Sequence, residues 1–525
     1  MKKFLMIFMS MIICICVLFS GTACKPKELQ EVWTDNDEDY TITWFMPITT
    51  DGISLAFPDM KEVENAINEI IYPKIKAKVN IVQVLWFTYN EQMTTRINSN
   101  EKFDLCFTSP SVNYYWTYIK RLAFLPLNSL LEMYAPHVME QVPEFAWDQA
   151  TASDGKIYGV VNQQIMPRTD AVLIRDYELF DRFCELNGYS EYDHTNIYQY
   201  ILEQEIHPYD LLEEYILWLK NNNKGLGGKM GALDMGESLQ TRYHWDDLGT
   251  GMQVPGVVSC EDTADGGIKV INQFETEEFK NDIVRKAGHY MNGMSPNTIN
   301  TNDYGASMGK YDVASLTTWK PNDIRENTDG GIGGAMRLGN PYYYITFILG
   351  SMTAISSTSE NPARVMKFID LMWTDADILN LLCFGIEGEH YEYTDKGNSY
   401  QVKQIPNSGY DNASMTWAYS SEFIEGVNYL DRYDTNPYVE SEQINKTAYK
   451  SDVVGFTFDE SNVSSYISQC KATASTYLRE FSVGVHGNDV MAKYDEFIQK
   501  MEQAGMDKIV EEKQRQLDEW LKSKS

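Results

Sequence analysis

The sequence predicts an α/β fold spread over more than one domain, on three observations. The chain has 525 residues, too many for one core, since cores stop growing near ~250–300 residues. Its first folded stretch alternates strand and helix patterns, as a parallel sheet requires. Its last stretch, Val463 to Leu521, is helical in pattern almost throughout.

Ahead of these elements stands Met1 to Cys24. Lys2 and Lys3 are followed by an almost unbroken apolar run, Phe4 to Phe19, then by Ser20, Gly21, Thr22, Ala23 and Cys24. The run is short of the ~20 apolar residues a spanning helix needs, so residues 1–23 read as a secretory signal peptide. A cysteine directly after small residues resembles a bacterial lipobox, with Gly21 where such boxes usually carry Leu. The resemblance implies cleavage before Cys24 and acylation of it, each buried methylene contributing ~0.8 kcal/mol of membrane binding. The alternatives are an ordinary signal peptide or an uncleaved helix. The expected location is the outer face of the cytoplasmic membrane. Residues 24–39 read as a solvated, lipid-anchored tether. Asp35, Asp37 and Asp39 alternate as in a calcium loop, but Tyr40 stands where an EF-hand needs Gly.

Composition narrows the partners. The formal net charge is −31, which disfavours nucleic acid and acidic membrane surfaces. Aromatic residues make up 13% of the chain, with 34 Tyr and 11 Trp, a large supply of flat amphipathic surface. Beyond the leader and Cys24, the cysteines are Cys106, Cys184, Cys260, Cys383 and Cys470, widely spaced and without a Cys-x-x-Cys. No disulfide framework, zinc motif or cofactor is expected. Cys106 and Cys383 lie in apolar runs and read as buried thiols.

The elements follow in order. Tyr40 to Pro47 reads as a strand, Phe57 to Pro73 as a helix with Val63, Ala66, Ile67, Ile70 and Ile71 on one face, and Val79 to Phe87 as a second strand. Asn90 to Asn98 reads as a helix and Asp104 to Phe107 as a short buried strand. Parallel sheets bind ligands beyond the carboxyl ends of their strands, where Met46-Pro47, Trp86 to Asn90 and Thr108-Ser109-Pro110 stand. Lys156 to Val161 reads as a strand followed by Asn162, Gln163 and Gln164, and Val172 to Asp176 as another. Helices follow from Tyr177 to Lys220. Gly225 to Gly236 is a glycine-rich loop without the lysine of a phosphate loop. Phe274 to Met294 reads as a helix, Val313 to Trp319 as a strand, Met352 to Ile355 as a strand, Asn361 to Met372 as a helix, and Tyr391 to Gln404 as a hairpin.

Several passages together resemble the family 1 extracellular solute-binding proteins, in the large lipoprotein branch of Gram-positive bacteria. They are Thr43-Trp-Phe-Met-Pro47, Phe103 to Pro110, Leu125-Pro-Leu-Asn128 with Asp154-Gly-Lys-Ile-Tyr-Gly159, Met352 to Phe368 with Trp373-Thr-Asp375, Phe384 to Tyr391, and the tail from Phe456 to Trp520. The resemblance implies a two-lobe, type II-like periplasmic-binding-protein fold with discontinuous lobes and a ligand cleft between them. Residues 40–159 and 338–385 would form lobe one, 160–337 and 386–454 lobe two, and 455–525 a helical module packed on lobe two. It also implies the substrate-binding component of an ABC importer, a sugar or oligosaccharide as ligand, permease subunits as partners, and a monomer.

Sugars present apolar faces ringed by hydroxyls, so a site for them combines aromatic platforms with fixed polar groups. The expected ligand-binding residues are Trp86, Tyr89, Asn90, Thr108, Ser109, Asn162, Gln163, Trp319, Tyr343, Glu387 and Trp417, with Trp86 and Trp319 as platforms from opposite lobes. Trp44, Trp116, Trp147, Trp218 and Trp373 are assigned to packing, and Trp245 is left open. Glu387 is alternatively a hinge hydrogen-bond acceptor. No metal site is expected, since glycines flank Glu387 and His390 and no third ligand is near. No His-Glu-x-x-His or Gly-x-Ser-x-Gly occurs, and no enzyme is expected. A sensor lipoprotein, a binder of peptides or other polar solutes, and lastly a secreted glycoside hydrolase are the alternatives.

Overall fold

The computed structural model describes residues 34–35, 38–50, 56–231, 235–260, 267–296, 310–315, 319–322, 324–326, 330–395, 397 and 399–524. The leader, Cys24 and most of the tether lie outside the described residues.

The first sheet has the strand order Ala77–Leu85, Tyr40–Ile48, Leu105–Thr108, Met352–Ile355, Val160–Val161. Its first three strands are parallel, paired from Tyr40↔Ala77 to Ile48↔Leu85 and at Trp44↔Leu105. Met352–Ile355 then enters antiparallel to both neighbours. The central strands are buried on both faces, Ile42, Trp44, Phe45 and Met46 among them, which is why they read as continuous apolar runs. Helix Met60–Ile75 lays Val63, Ile67 and Ile71 against the sheet. The same helix guards the sheet's edge strand: Val79 N donates to Asn68 Oδ1 at 2.7 Å and Ile81 N to Glu64 Oε2 at 2.8 Å, occupying donors an open edge would offer to another chain. Helix Pro362–Met372 starts where the sequence predicts, with Pro362 at its first turn and Asn361 accepting from Arg364 N.

The second sheet is antiparallel, in the order Val313–Ser315, Ala171–Ile174, Ile332–Arg337, Ile324–Glu326. Helices Tyr177–Leu186, Ile197–Glu203 and Pro208–Asn221 pack around it. A third core joins helix Glu277–Met291 to the C-terminal helices Ser464–Val483, Val490–Gln503 and Met506–Lys524 through Phe274, Phe279, Phe481 and Phe497.

Two expectations are corrected. Residues 386–454 are expected in lobe two, but the hairpin Tyr391–Tyr393 with Gln401–Gln404, and buried residues up to Tyr438, pack in the core of the first sheet. The reason is hydrogen bonding as well as apolar burial. Buried Tyr410 donates to Leu382 O at 2.7 Å and buried Tyr419 to Pro47 O at 2.5 Å. Of the strand expected from Val313 to Trp319, Val313–Ser315 is a strand, and residues 316–318 lie outside the described residues. The strand expected from Lys156 is confined to Val160–Val161, with Ile157 bridging to Thr151.

The tether's far end is also bound rather than solvated. Asp35 pairs with Arg364 Nη2 at 2.6 Å and with Lys367 Nζ at 2.7 Å. The Arg364 side chain is 1% exposed and also donates to Glu38 O and Lys76 O. A buried guanidinium demands such partners, and removing one side of a buried pair costs ~3–5 kcal/mol. Arg364→Ala should therefore lower the unfolding free energy by about that amount, measured by denaturant titration. A change under ~1 kcal/mol would contradict the tie.

Candidate functional site

A cavity of about 450 Å³ opens beyond the carboxyl ends of the first sheet's strands, within the usual ~300–1,000 Å³ of ligand sites. Three kinds of element wall it. The turns after the parallel strands bring Trp86, Ser109, Ser111 and Val112; the passages between lobes bring Gln164, Ile165, Arg168, Thr346, Phe347 and Gly350; and the loops after Phe384 bring Ser414, Thr416, Trp417, Arg432, Tyr433 and Tyr438. Lys320 reaches in from the second lobe. Two other cavities, of about 620 and 750 Å³, are each walled by one lobe, the first by residues within 207–294 and the second by residues within 41–80. Only the first of the three is built from both lobes.

The aromatic wall is interlocked. Strand Ala77–Leu85 ends in a single 3-10 turn that presents Trp86. Its ring meets Phe107 edge-on at 5.4 Å and Trp417 at 5.3 Å, and Phe107 meets Trp417 at 5.7 Å. Trp417 Nε1 donates to Ser414 O at 2.9 Å. Edge-to-face packing of this kind fixes the rings, and both tryptophans remain half-exposed.

The polar wall is ionic. Lys320 Nζ lies 2.8 Å from Glu422 Oε1 and 4.7 Å from the centre of the Tyr438 ring. Thr416 Oγ1 donates to the same Glu422 oxygen. Burial, reinforced by the charge of Glu422, holds the Tyr438 phenol protonated well above its ordinary value. The Arg168 guanidinium lies 4.4 Å over Phe347 and donates to Ile165 O. Arg432 donates to Tyr433 Oη at 3.0 Å. Fixed N–H and O–H donors around aromatic faces can orient a ligand rich in hydroxyl or carbonyl oxygen.

Of the residues expected from sequence, Trp86, Ser109 and Trp417 line this cavity. The others take different roles. Tyr89 is wholly buried, donating to Phe45 O and accepting from Phe107 N, each at 2.9 Å. Buried Thr108 donates to Asn113 O, and Asn90 Oδ1 accepts from Asn113 N, so both shape the loop carrying Ser109. Tyr343 packs on Phe145 and donates to Asn445 O at 2.7 Å. Asn162 is 1% exposed and ties crossing chain segments together. Gln163 turns inward to Val161 O, and its neighbour Gln164 lines the cavity instead.

Trp319 stands outside the cavity wall, with Arg337 5.9 Å from its ring; the next residue, Lys320, is the one that enters. Trp86 lines the cavity and Trp319 does not, so the two tryptophans expected as opposing platforms are not brought together there. Glu387 is exposed on a turn outside the cavity. That turn is held by His390, whose Nδ1 accepts from Ile386 N at 2.8 Å. Gly385 has φ +80°, and a Cβ there would sit 2.6 Å from His390 Nδ1, so its glycine is a steric requirement. Trp44 and Trp373 are buried, Trp116, Trp147 and Trp218 pack on cores, and Trp245 joins the third core.

Sequence reasoning missed Lys320, Glu422, Thr416, Arg168, Phe347, Arg432 and Tyr438. Nothing local marks them, since they meet only through the fold. Glu422 is fully buried and Lys320 is 18% exposed. Lys320→Met should therefore destabilise more, by ~3–5 kcal/mol, than Glu422→Gln, by ~1–3 kcal/mol. The first strands a carboxylate away from water, while the second leaves an ammonium that water can reach. Denaturant unfolding of both variants checks the order, and the reverse order would refute the assignment.

Comparisons with known proteins bear on this geometry. Residues 452–522 match a family model described as a domain of unknown function, DUF3502. The chain is 23% identical over 471 residues to a carbohydrate ABC transporter substrate-binding protein of Streptococcus pneumoniae, covering 87% of each chain. Among solved structures, it resembles the N-glycan transport solute binding protein NgtS of S. pneumoniae, with TM-score 0.67 and 18% identity over 93% of this chain and 100% of that one. It also resembles the ABC-transporter substrate binding protein FusA of S. pneumoniae in complex with kestose, with TM-score 0.59 and 15% identity over 92% and 100%. The fold is that of the two-lobe solute-binding proteins.

Proposed function

We propose that this chain is the extracellular solute-binding lipoprotein of an ABC importer, and that it captures a sugar or oligosaccharide between its lobes for delivery to a membrane permease. The observation that carries this reading is the cavity beyond the strand ends. There Trp86 and Trp417, braced by buried Phe107, offer apolar faces beside Lys320, Arg168, Thr416 and Ser109. Aromatic faces suit the C–H faces of a pyranose or furanose ring, and the fixed donors suit its hydroxyls. The relative of S. pneumoniae, matched over most of both chains, carries the same role in its name. Complexes of two resembling structures contain Man5GlcNAc and kestose, so oligosaccharides of those two kinds are the first to try. Binding without chemistry is the activity proposed.

The direct test is a thermal-shift screen of the mature chain against mono- and oligosaccharides, because a ligand that binds only the folded state raises the melting temperature. With a ligand found, Trp86→Ala and Trp417→Ala should each weaken binding roughly tenfold to a hundredfold, since burial of an aromatic ring contributes ~1.5–3 kcal/mol and every 1.4 kcal/mol is tenfold. Calorimetry well below the melting temperature reads this. Full affinity in both variants would remove the aromatic wall from the site. Products released from a glycan would instead favour a hydrolase, and binding of peptides alone would reassign the ligand class.

The lipid anchor belongs to the same proposal. The apolar leader ending at Ala23-Cys24 implies acylation of Cys24. Cys24→Ala should release the protein to the medium or leave an unprocessed precursor. A Cys24→Ala protein that fractionates with membranes at mature size would rule the anchor out.

A further inference from the structure

Lys513 belongs to the C-terminal segment that matches a domain of unknown function, and its side chain is fully buried. Its ammonium points out of helix Met506–Lys524 into the loop that follows Trp245–Asp246. There it donates to Gly256 O at 2.6 Å, Thr250 Oγ1 at 2.8 Å and Asp247 O at 3.2 Å. An ammonium has three N–H groups, and three oxygens of one loop receive them. The lysine stem lies on Gly256, which has φ +101°; a Cβ there would meet Lys513 Cδ at 2.7 Å. The loop is thus wound around the side chain.

The same loop holds the cavity wall from behind. Asp246 Oδ2 accepts from Ile345 N at 2.9 Å, and Asp246 Oδ1 accepts from Leu248 N at 2.9 Å. Asp247 Oδ1 accepts from Thr346 Oγ1 at 2.6 Å and from Gly249 N at 2.8 Å. Both aspartates are almost wholly buried. Thr346 and Phe347 line the cavity. Two adjacent buried carboxylates repel each other, and burial followed by the charge of Asp247 pushes Asp246 up to about 7. A cation at Lys513 offsets that repulsion; burial pushes it down to about 7 against the pull of Asp247, Glu460 and Asp246.

We propose that Lys513 is a positioning residue for ligand binding: it fixes the Asp246–Gly256 loop, which in turn holds Ile345, Thr346 and Phe347 at the cavity wall. This gives the C-terminal module a task beyond adding hydrophobic core. The part concerning affinity rests on the binding function proposed above; the part concerning the wall stands on the geometry alone.

The test uses the full mature chain and two variants of the contact, Lys513→Met and the milder Thr250→Val, which removes one acceptor. Phe497→Leu, in the buried core of the same module, serves as a control that loosens the module while leaving every hydrogen bond of Lys513 to the loop in place. Hydrogen exchange of a peptide spanning 342–349 is read without ligand. Lys513→Met should exchange about tenfold faster or more in that peptide, and Thr250→Val less so, while Phe497→Leu keeps the parent's protection there. For a glycan that binds the parent, Lys513→Met should weaken affinity about tenfold at a temperature where it is folded. Phe497→Leu should bind like the parent despite a lowered melting temperature. Unchanged protection in Lys513→Met, or equal loss in Phe497→Leu, would overturn the proposal. Should Lys513→Met fail to fold, Thr250→Val decides by the same exchange reading. A parent that binds no glycan would defeat the proposed function, and the exchange result would still decide this inference.

Discussion

The architecture depends on how polar backbone is satisfied where the chain passes between lobes, and Asn162 is central to that. Its amide donates to Ser351 Oγ at 3.0 Å and to Ala418 O at 2.8 Å, and its oxygen accepts from Thr353 Oγ1 at 3.2 Å. Its backbone N–H donates to Ser351 O. Ser351 in turn donates to Trp417 O at 2.8 Å. One buried side chain thereby joins three passes of the chain that are far apart in sequence. A buried amide left without these partners would cost its full desolvation. Every partner must therefore be in place together, and the register of the first sheet's last strands follows from that.

The cavity is a consequence of the same junction. Trp417 is held through its carbonyl by Ser351, and beyond it Glu422 N donates to Gln163 O at 2.8 Å. Glu422 then receives Lys320 and Thr416. Thus the aromatic wall and the ionic wall both hang from residues that close the junction. A site built on such crossings is rigid where it orients a ligand, which limits the ordering cost of binding.

The sequence carries this unevenly. Strands Tyr40–Ile48, Ala77–Leu85 and Met352–Ile355 and helix Pro362–Met372 are legible because burial on both faces, periodicity and an Asn-Pro start are local signals. Trp86 and Ser109 line the cavity because strand ends are where parallel sheets open. Tyr89, Thr108 and Tyr343 misled because a polar tip on a buried ring or hydroxyl serves backbone groups as readily as a ligand. Lys320 and Glu422 are 102 residues apart, and no local pattern announces a pair at that separation. The passage of residues 386–438 into the first core was hidden for the same reason: Tyr410 and Tyr419 look like loop aromatics until Leu382 O and Pro47 O are seen to need donors.

That correction changes how the site is assembled. With Trp417 in the first lobe, Trp86, Phe107 and Trp417 form one cluster within a single core. The aromatic platform therefore does not wait for a second lobe to close upon it. Under the proposed function, a sugar ring stacked on Trp86 or Trp417 would meet a surface already fixed by edge-to-face contacts, with little side-chain entropy left to lose. Gln164, Ile165 and Arg168 join the wall where the chain passes between lobes, and Lys320 reaches it from deeper in the second lobe, seated against Glu422 and Tyr438. The first core provides the hydrophobic face, while Lys320 adds a charge held by Glu422. Under the proposed function, binding strength would accordingly divide between a fixed aromatic platform and the charge of Lys320.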